Sequence, residues 1–238
     1  FGVKLPDFPT QDLSWETATT SNIGFDAVWW NNRITTTIEY YNRLTTDILQ
    51  AVDLPSSVGV ETQPILNLAS VRNTGLEFQL GYNGKAGDFD YSFSGNFTTV
   101  KNNVEEVWRN QPFGGEQNRI EEGYPLYYLW GFKTGGIFQD QNEVLNWQTQ
   151  HTDSQTDSAL VSAGDMYFQD VYGDPTETEK FYSKTPDGKV NLNDRTYIGK
   201  TIPGYYYGFS LGTGWKGFDL SIFFQGVGDV QKYNPILA

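Results

Sequence analysis

The sequence predicts an all-β chain built from antiparallel hairpins, and three observations carry that prediction. Aromatic residues make up 16% of the 238 residues and Gly contributes 25, a mixture that suits strands and polar turns better than a helical core. Large apolar residues alternate with small or polar ones, which is the period of a strand. Short turns alternate strictly with long connections rich in Asp, Asn, Gln, Ser and Pro.

The first hairpin lies near residues 17–42. Ile23, Phe25, Ala27 and Trp29 lead through Asn31-Asn32, a pair that tolerates the positive φ of a two-residue type I′ turn, into Ile34, Thr36, Ile38 and Tyr40. The other face holds Gly24, Asp26, Arg33, Thr35, Thr37 and Glu39. A second hairpin is predicted near 74–98, where Leu76, Phe78, Leu80 and Tyr82 pass through "NGKAGD" into Phe89, Tyr91, Phe93 and Phe97. Its opposite face reads Glu77, Gln79, Gly81, Asp90, Ser92, Ser94 and Asn96. The third, near 204–226, carries Phe209, Leu211 and Trp215 across a Lys216-Gly217 turn to Phe218, Leu220, Ile222 and Phe224. Tyr206, Gly208, Ser210, Gly212, Gly214, Asp219, Ser221, Phe223 and Gln225 point the other way.

A soluble sandwich buries its apolar face and covers the other with Lys and Glu. Here the second face is small and nearly uncharged, as in a barrel whose bulky face meets lipid and whose polar face meets a crowded lumen. The expected lipid-facing set is Ile23, Phe25, Trp29, Ile34, Ile38, Leu76, Phe78, Leu80, Phe89, Tyr91, Phe93, Phe209, Leu211, Trp215, Phe218, Leu220, Ile222 and Phe224. Six strands of roughly ten residues fit tilted membrane spans. The connections near 43–73 and 99–203 fit long extracellular loops opposite short periplasmic turns. Within the second, "YPLYYLWGFKTGGIF" at 124–138 predicts a strand that extends the sheet above the membrane. Trp29, Trp30, Tyr82 and Trp215 sit beside turns, either as an interfacial aromatic girdle or as cross-strand pairs of the kind any sheet makes near its turns.

Other classes are narrowed by composition. A net charge of −13 excludes a nucleic-acid surface, which needs Lys and Arg in excess. There are no cysteines to form disulfides or thiolate metal sites. No run of about 20 apolar residues makes a membrane helix, which leaves β spans open. Known barrels start at about 8 strands, so six imply part of a longer polypeptide.

"LSWETATTSNIGFD" (13–26), "RITTTIEYYNRLTTDIL" (33–49), "NTGLEFQLGY" (73–82), "GYPLYYLWGFKTGGIFQ" (123–139), "PDGKVNLNDRTYIG" (186–199) and "GFDLSIFFQG" (217–226) occur in this order. Together they resemble the C-terminal part of the barrel of SusC-like TonB-dependent transporters, RagA-like members included, over nearly the whole chain. The resemblance implies a barrel of about 22 strands occluded by a plug. It also implies the bacterial outer membrane, a SusD-like surface lipoprotein as extracellular lid, TonB acting through an N-terminal box, and oligosaccharide or peptide as cargo. Residues 1–238 are then expected to lack the plug, the TonB box and the last strands.

"GDMYFQDVYGD" followed by "PDGKVNLND" resembles an interrupted calcium loop in that family, with Asp170, Asp187, Asn191 and Asp194 as candidate oxygen ligands. A solvated turn with Gly188 at the bend is the other reading. His151 is the single histidine, in a polar loop and expected to be exposed, so a histidine-based triad or multi-histidine metal site is excluded. Glu105-Glu106 and Glu121-Glu122 are adjacent pairs, which point to opposite faces on a strand and do not make a glycosidase dyad. No catalytic residue and no cofactor is expected. Trp108, Trp130 and Trp147 are loop aromatics placed to stack on sugar rings, to meet the lipoprotein or to pack the loops together. The alternative function is a secreted carbohydrate-binding β-sandwich module.

Overall fold

A computed structural model describes residues 13–51, 65–151, 161–179 and 182–234. In chain order the strands are β1 (Thr17–Trp29), β2 (Ile34–Ala51), β3 (Ile65–Ala86), β4 (Phe89–Thr99), β5 (Lys101–Val107), β6 (Phe113–Gly114), β7 (Asn118–Ile120) and β8 (Tyr128–Phe132). They continue as β9 (Thr134–Ile137), β10 (Met166–Phe168), β11 (Arg195–Gly199), β12 (Tyr205–Trp215) and β13 (Phe218–Gly228). One helix, α1, spans Gln141–Gln150. The chain is all-β and antiparallel, and it divides into two units. Residues up to 113 with 120–127 and 200–232 form the first; residues 114–119 and 128–199 form most of the second.

The first unit is a seven-stranded sheet in the order β1-β2-β3-β4-β12-β13, with β5 paired to β3. Period-2 alternation sets its register, because a slip of one residue would carry every bulky side chain to the other face. Phe25, Ile38, Phe78, Phe97, Tyr207 and Gly226 therefore stand in one row across six strands. Glycines on this face serve neighbouring rings. Gly84, Gly226 and Gly228 lie beneath Tyr91, Tyr207 and Tyr205, their partners directly opposite, and a Cβ at any of them would run into the ring.

The turns differ from the sequence-based expectation at two places. Trp29 pairs with Ile34 across four residues, Trp30 to Arg33, and not across Asn31-Asn32 alone. Trp30, Asn31 and Asn32 all take positive φ, at 54°, 55° and 65°. Asn side chains tolerate that region; nothing local explains why Trp30 joins them. In "NGKAGD" the strand continues through Ala86, and the turn is Gly87-Asp88, with Ala86 opposite Phe89. Gly87 supplies the positive φ of 61° that the pair needs. At the third hairpin Lys216 and Gly217 both take positive φ between the Trp215–Phe218 pair, the two-residue turn expected.

The connections are also less loop-like than their composition suggests. β2 runs on to Ala51 and β3 starts at Ile65, so much of 43–73 is paired strand with bulges near Thr45 and Ile48. β5 follows β4 almost without interruption and pairs with Ala69–Thr74 of β3. Arg72 fixes this end by donating from Nε and Nη2 to the Glu105 carboxylate at 2.5 and 2.9 Å and from Nη1 to Asn42 Oδ1 at 3.0 Å, which joins β2, β3 and β5. Here, too, lies the core of the unit: Val71, Val104, Val107 and Ile120 are buried, with Ile48, Phe113, Leu126 and Tyr127 packed against them.

In the second unit β11, β8 and β7 are antiparallel neighbours, and β9 pairs with β10. The stretch 124–138 thus supplies β8 and β9 to two small sheets and does not extend the seven-stranded one, which corrects the expectation. α1 begins where Asp140 accepts from the N–H groups of Asn142 and Glu143, an N-cap that ends a strand-rich segment.

Gly75 offers a test of inner-face packing. It stands opposite Tyr41, whose hydroxyl donates to the Thr99 carbonyl at 3.1 Å, and a Cβ there would strike that carbonyl and the Tyr41 ring. Gly75→Val in the full-length polypeptide is expected to cost about 1–3 kcal/mol through overpacking. Urea unfolding in lipid vesicles measures it.

Candidate functional site

Two features have the chemistry of a site: the aromatic face of the long sheet and a knot of acidic residues in the second unit. On the sheet, alternation alone puts all eighteen predicted residues on one face. Ile23, Phe25, Trp29, Ile38, Leu76, Phe78, Phe89, Leu211, Trp215, Phe218, Leu220, Ile222 and Phe224 are exposed there. Ile34, Leu80, Tyr91, Phe93 and Phe209 are half-buried by their neighbours, as where Phe209 stacks on Phe224 at 4.7 Å. None of the eighteen is buried, so among the described residues no second layer covers the face. The turn-proximal Trp30 and Phe218 are 75% and 76% exposed, far from the state of aromatics in a soluble core.

The opposite face is small because its residues must pass close to one another. A Cβ on Gly81 would meet Thr35 Oγ1, one on Gly212 would meet Ser92 Oγ, and one on Gly208 would touch Asn96. Thr37 Oγ1 donates to Asp26 at 2.6 Å and Lys85 meets Asp90 at 3.1 Å, while Glu39 and Glu77 stand directly opposite each other on β2 and β3. Glu105 and Glu106 lie on β5, with Glu105 bound by Arg72.

The acidic candidates of the second unit do come together, but on amide donors. Asp194 is fully buried. Its Oδ1 accepts from the N–H groups of Val171 and Tyr172 at 2.8 and 2.9 Å, while Oδ2 accepts from Asn191 at 2.8 Å and closes a capping box around a 3₁₀ turn, Leu192–Asp194. Asp187 accepts from Asp174 and Lys189, and Asp170 Oδ2 accepts from Gly188 at 2.6 Å. Asn191 Oδ1 accepts from the Asn193 N–H. Among the described residues no three His, Asp or Glu side chains converge on a metal position. Asp170, Asp187 and Asp194 each accept from backbone N–H groups, and Asp194 is buried where the sequence offered a solvated turn beside calcium. Asp170 keeps one oxygen, Oδ1, that is buried and without a partner. Burial pushes its carboxyl above the usual range; the Gly188 N–H opposes that and the Asp194 charge adds to it.

The loop aromatics are engaged. Arg109 lies 4.2 Å over Trp108 and Arg119 lies 4.1 Å over Trp130. Trp147 stacks on His151 at 4.7 Å and packs edge-on to Phe138. His151 is thus half-buried at the end of α1 and not the exposed loop residue expected. A four-residue spacing on a helix end, Trp147 to His151, was the available signal.

With this geometry in place, comparison with known proteins is informative. No family model matches the chain. TonB-dependent receptor P3 of Formosa agariphila is 27% identical over 98% of the chain, and TonB-dependent receptor SusC of Bacteroides thetaiotaomicron is 27% identical over 93%. A solved structure of the RagAB peptide transporter shares the fold, with a TM-score of 0.69 over 94% of the chain at 24% identity. The RagAB peptide importer in its open-open state gives 0.66 over 92% at 24% identity. The chain spans only about a fifth of these relatives, 22% of the Formosa receptor and 22% of the transporter chain. Over nearly all its length it is similar in sequence to proteins named TonB-dependent receptors, SusC among them, and it shares the fold of part of the RagAB transporter chain. Its open antiparallel sheet has the fold of part of their outer-membrane barrel.

Two outcomes are expected from the acidic knot. Asp194→Ala leaves three amides without an acceptor, and an unmade bond at a buried amide costs about 1–3 kcal/mol. Hydrogen exchange at Val171, Tyr172 and Asn191 is therefore expected to accelerate at least about tenfold, with Asp194→Asn recovering part of the loss. Asp170 acts with the opposite sign. Its folded pKa is raised, so the local stability it allows is greatest below the unfolded value of about 3.9 and falls as pH rises through the folded value. Asp170→Asn is expected to flatten the pH dependence of protection at Gly188, after correction for intrinsic exchange.

Proposed function

We propose that the chain is a wall and loop segment of an outer-membrane active importer of oligomeric nutrients, oligosaccharides or peptides, energised by TonB and closed from outside by a SusD-like surface lipoprotein. The observation that carries this reading is the uncovered aromatic face. Thirteen of its eighteen predicted residues are exposed, while the opposite face is mostly small and polar, with Val28, Tyr206, Phe223 and Val227 as exposed apolar exceptions. Hydrocarbon satisfies the first face and a filled lumen the second. A secreted sandwich would need a second apolar sheet over the same residues.

The eighteen bulky residues contact acyl chains, the three hairpin turns face the periplasm, and the connections near 43–73 and 99–203 face outward. The described part of 43–73 falls on paired strand, and part of each connection lies outside the described residues. Further strands outside this chain complete the wall, and a plug fills the lumen. Transport proceeds by binding and conformational steps: cargo is captured at the outer side, a lid closes, and displacement of the plug opens the path. The chain contributes a fixed surface and loops, and no bond is made or broken on it.

The full-length polypeptide, extracted in mild detergent, tests the reading. It is expected to be several times heavier than 26.9 kDa, to bring a lipoprotein with it, and to support uptake of an oligomeric nutrient that stops when TonB is deleted. A detergent-free, 27 kDa secreted species would end it. On the wall itself, Leu211→Arg or Ile222→Arg is expected to cost about 2–4 kcal/mol near the bilayer midplane. Ser221→Arg on the other face should cost much less. The fraction of heat-modifiable folded barrel in outer membranes reports the difference.

A further inference from the structure

The second unit contains a cavity of about 710 Å³ between α1 and the β9–β10 ribbon, within the size range of small-ligand sites. Its apolar walls are Trp147, Tyr167 and Phe168, and its polar groups are amides and carboxyls from Asn146, Gln150, Gln169, Glu143 and Asp170. Among the described residues no Lys or Arg lines it. The wall is rigid. Phe138 and Tyr167 are 4.9 Å apart, and Tyr167 lies over Gly135 and Gly136, where a Cβ would strike its ring. His151 also lines the cavity and donates from Nδ1 to the Trp147 carbonyl at 3.0 Å, which leaves Nε2 as an acceptor in the neutral ring.

These groups define a ligand chemistry. The rings offer faces and edges to C–H groups. The side-chain amides both donate and accept, and the carboxylates accept from hydroxyls. Asp170 also lines the cavity, with its Oδ2 held by the Gly188 N–H. A pyranose has this mixture of apolar ring faces and vicinal hydroxyls. With two carboxyls and no cation at the wall, a sulfated or uronic sugar meets repulsion, as does a peptide C-terminus. We propose that the cavity is a capture subsite for a neutral pyranose unit, so that the cargo is a neutral glycan. The inference rests on the importer reading and narrows its cargo.

The test uses the full-length transporter, purified in detergent and labelled, on one array. The array carries neutral hexose and pentose oligosaccharides, sulfated and uronic oligosaccharides, and peptides from a protease digest. Neutral oligosaccharides are expected to bind. Trp147→Ala should weaken that binding at least about tenfold and Trp147→Phe only a few-fold. Because Trp147 is packed, Asn146→Ala and Gln150→Ala, both exposed on α1, serve as variants that leave the fold intact, and each should weaken binding several-fold. Absence of neutral-glycan binding, binding confined to the anionic or peptide arm, or neutral-glycan binding that Asn146→Ala and Gln150→Ala leave unchanged overturns the subsite. TonB-dependent uptake measured on the same variants separates the two readings. Uptake of peptide alone sinks the subsite and leaves the importer standing; loss of outer-membrane location sinks both.

Discussion

Backbone hydrogen bonding governs this fold. In hydrocarbon no water satisfies an N–H or C=O, and each unpaired group costs several kcal/mol, so every strand must find neighbours on both sides. The sheet obeys this from β2 to β12, even to the point of pairing β4 with β12 across a connection of about a hundred residues. β1 and β13 each keep one edge with no partner among the described residues. Edges of eleven to thirteen residues with exposed aromatics would aggregate in water. The proposed barrel wall resolves both problems together: closure would supply the missing partners and lipid would cover the rings.

The same constraint explains how one sheet stabilises itself in two ways. Near the hairpin turns there is no packed interior, and order comes from the ladder, from Phe209 on Phe224, and from tyrosines seated over glycines. At the far end, β2, β3 and β5 enclose Val71, Val104, Val107 and Ile120, and Arg72 ties the three strands. Apolar burial from water works at that end, whereas on the proposed reading the bulky face meets lipid and gains little by covering itself with protein.

Much of this was legible in the sequence because period 2 is a strong signal where one face is bulky. All eighteen bulky positions share a face, and Lys216-Gly217 turns as its residue types require. Legibility failed where the pattern weakened. Residues 43–51 and 101–107 mix Thr, Asn, Glu and Lys with the apolar residues, so they read as loop, yet they are strands because β3 extends to pair with both. Asn83 and Gly84 look like a turn, but Gly84 is a ring seat for Tyr91, a tertiary role that no local rule encodes. In the second unit the acidic spacing suggested ligands, and the structure spends the oxygens on amides of Val171, Tyr172, Asn191 and Gly188.

That use of carboxylates bears on how a loop region of a strongly acidic chain stays ordered. An irregular segment has many backbone N–H groups and few carbonyls positioned to receive them. Buried acids meet the deficit: Asp194 alone takes three donors and holds residues 171–172 to 191 without any regular ladder. The arrangement tolerates insertion between the two acidic words of the sequence, because what matters is which amide each oxygen reaches and not the spacing along the chain. Asp170 is the exception, with one oxygen satisfied by Gly188 and one left without a donor where the aromatic cavity begins. A carboxyl stapled on one side and unmet on the other is costly for folding, and burial raises the pKa of Asp170 accordingly.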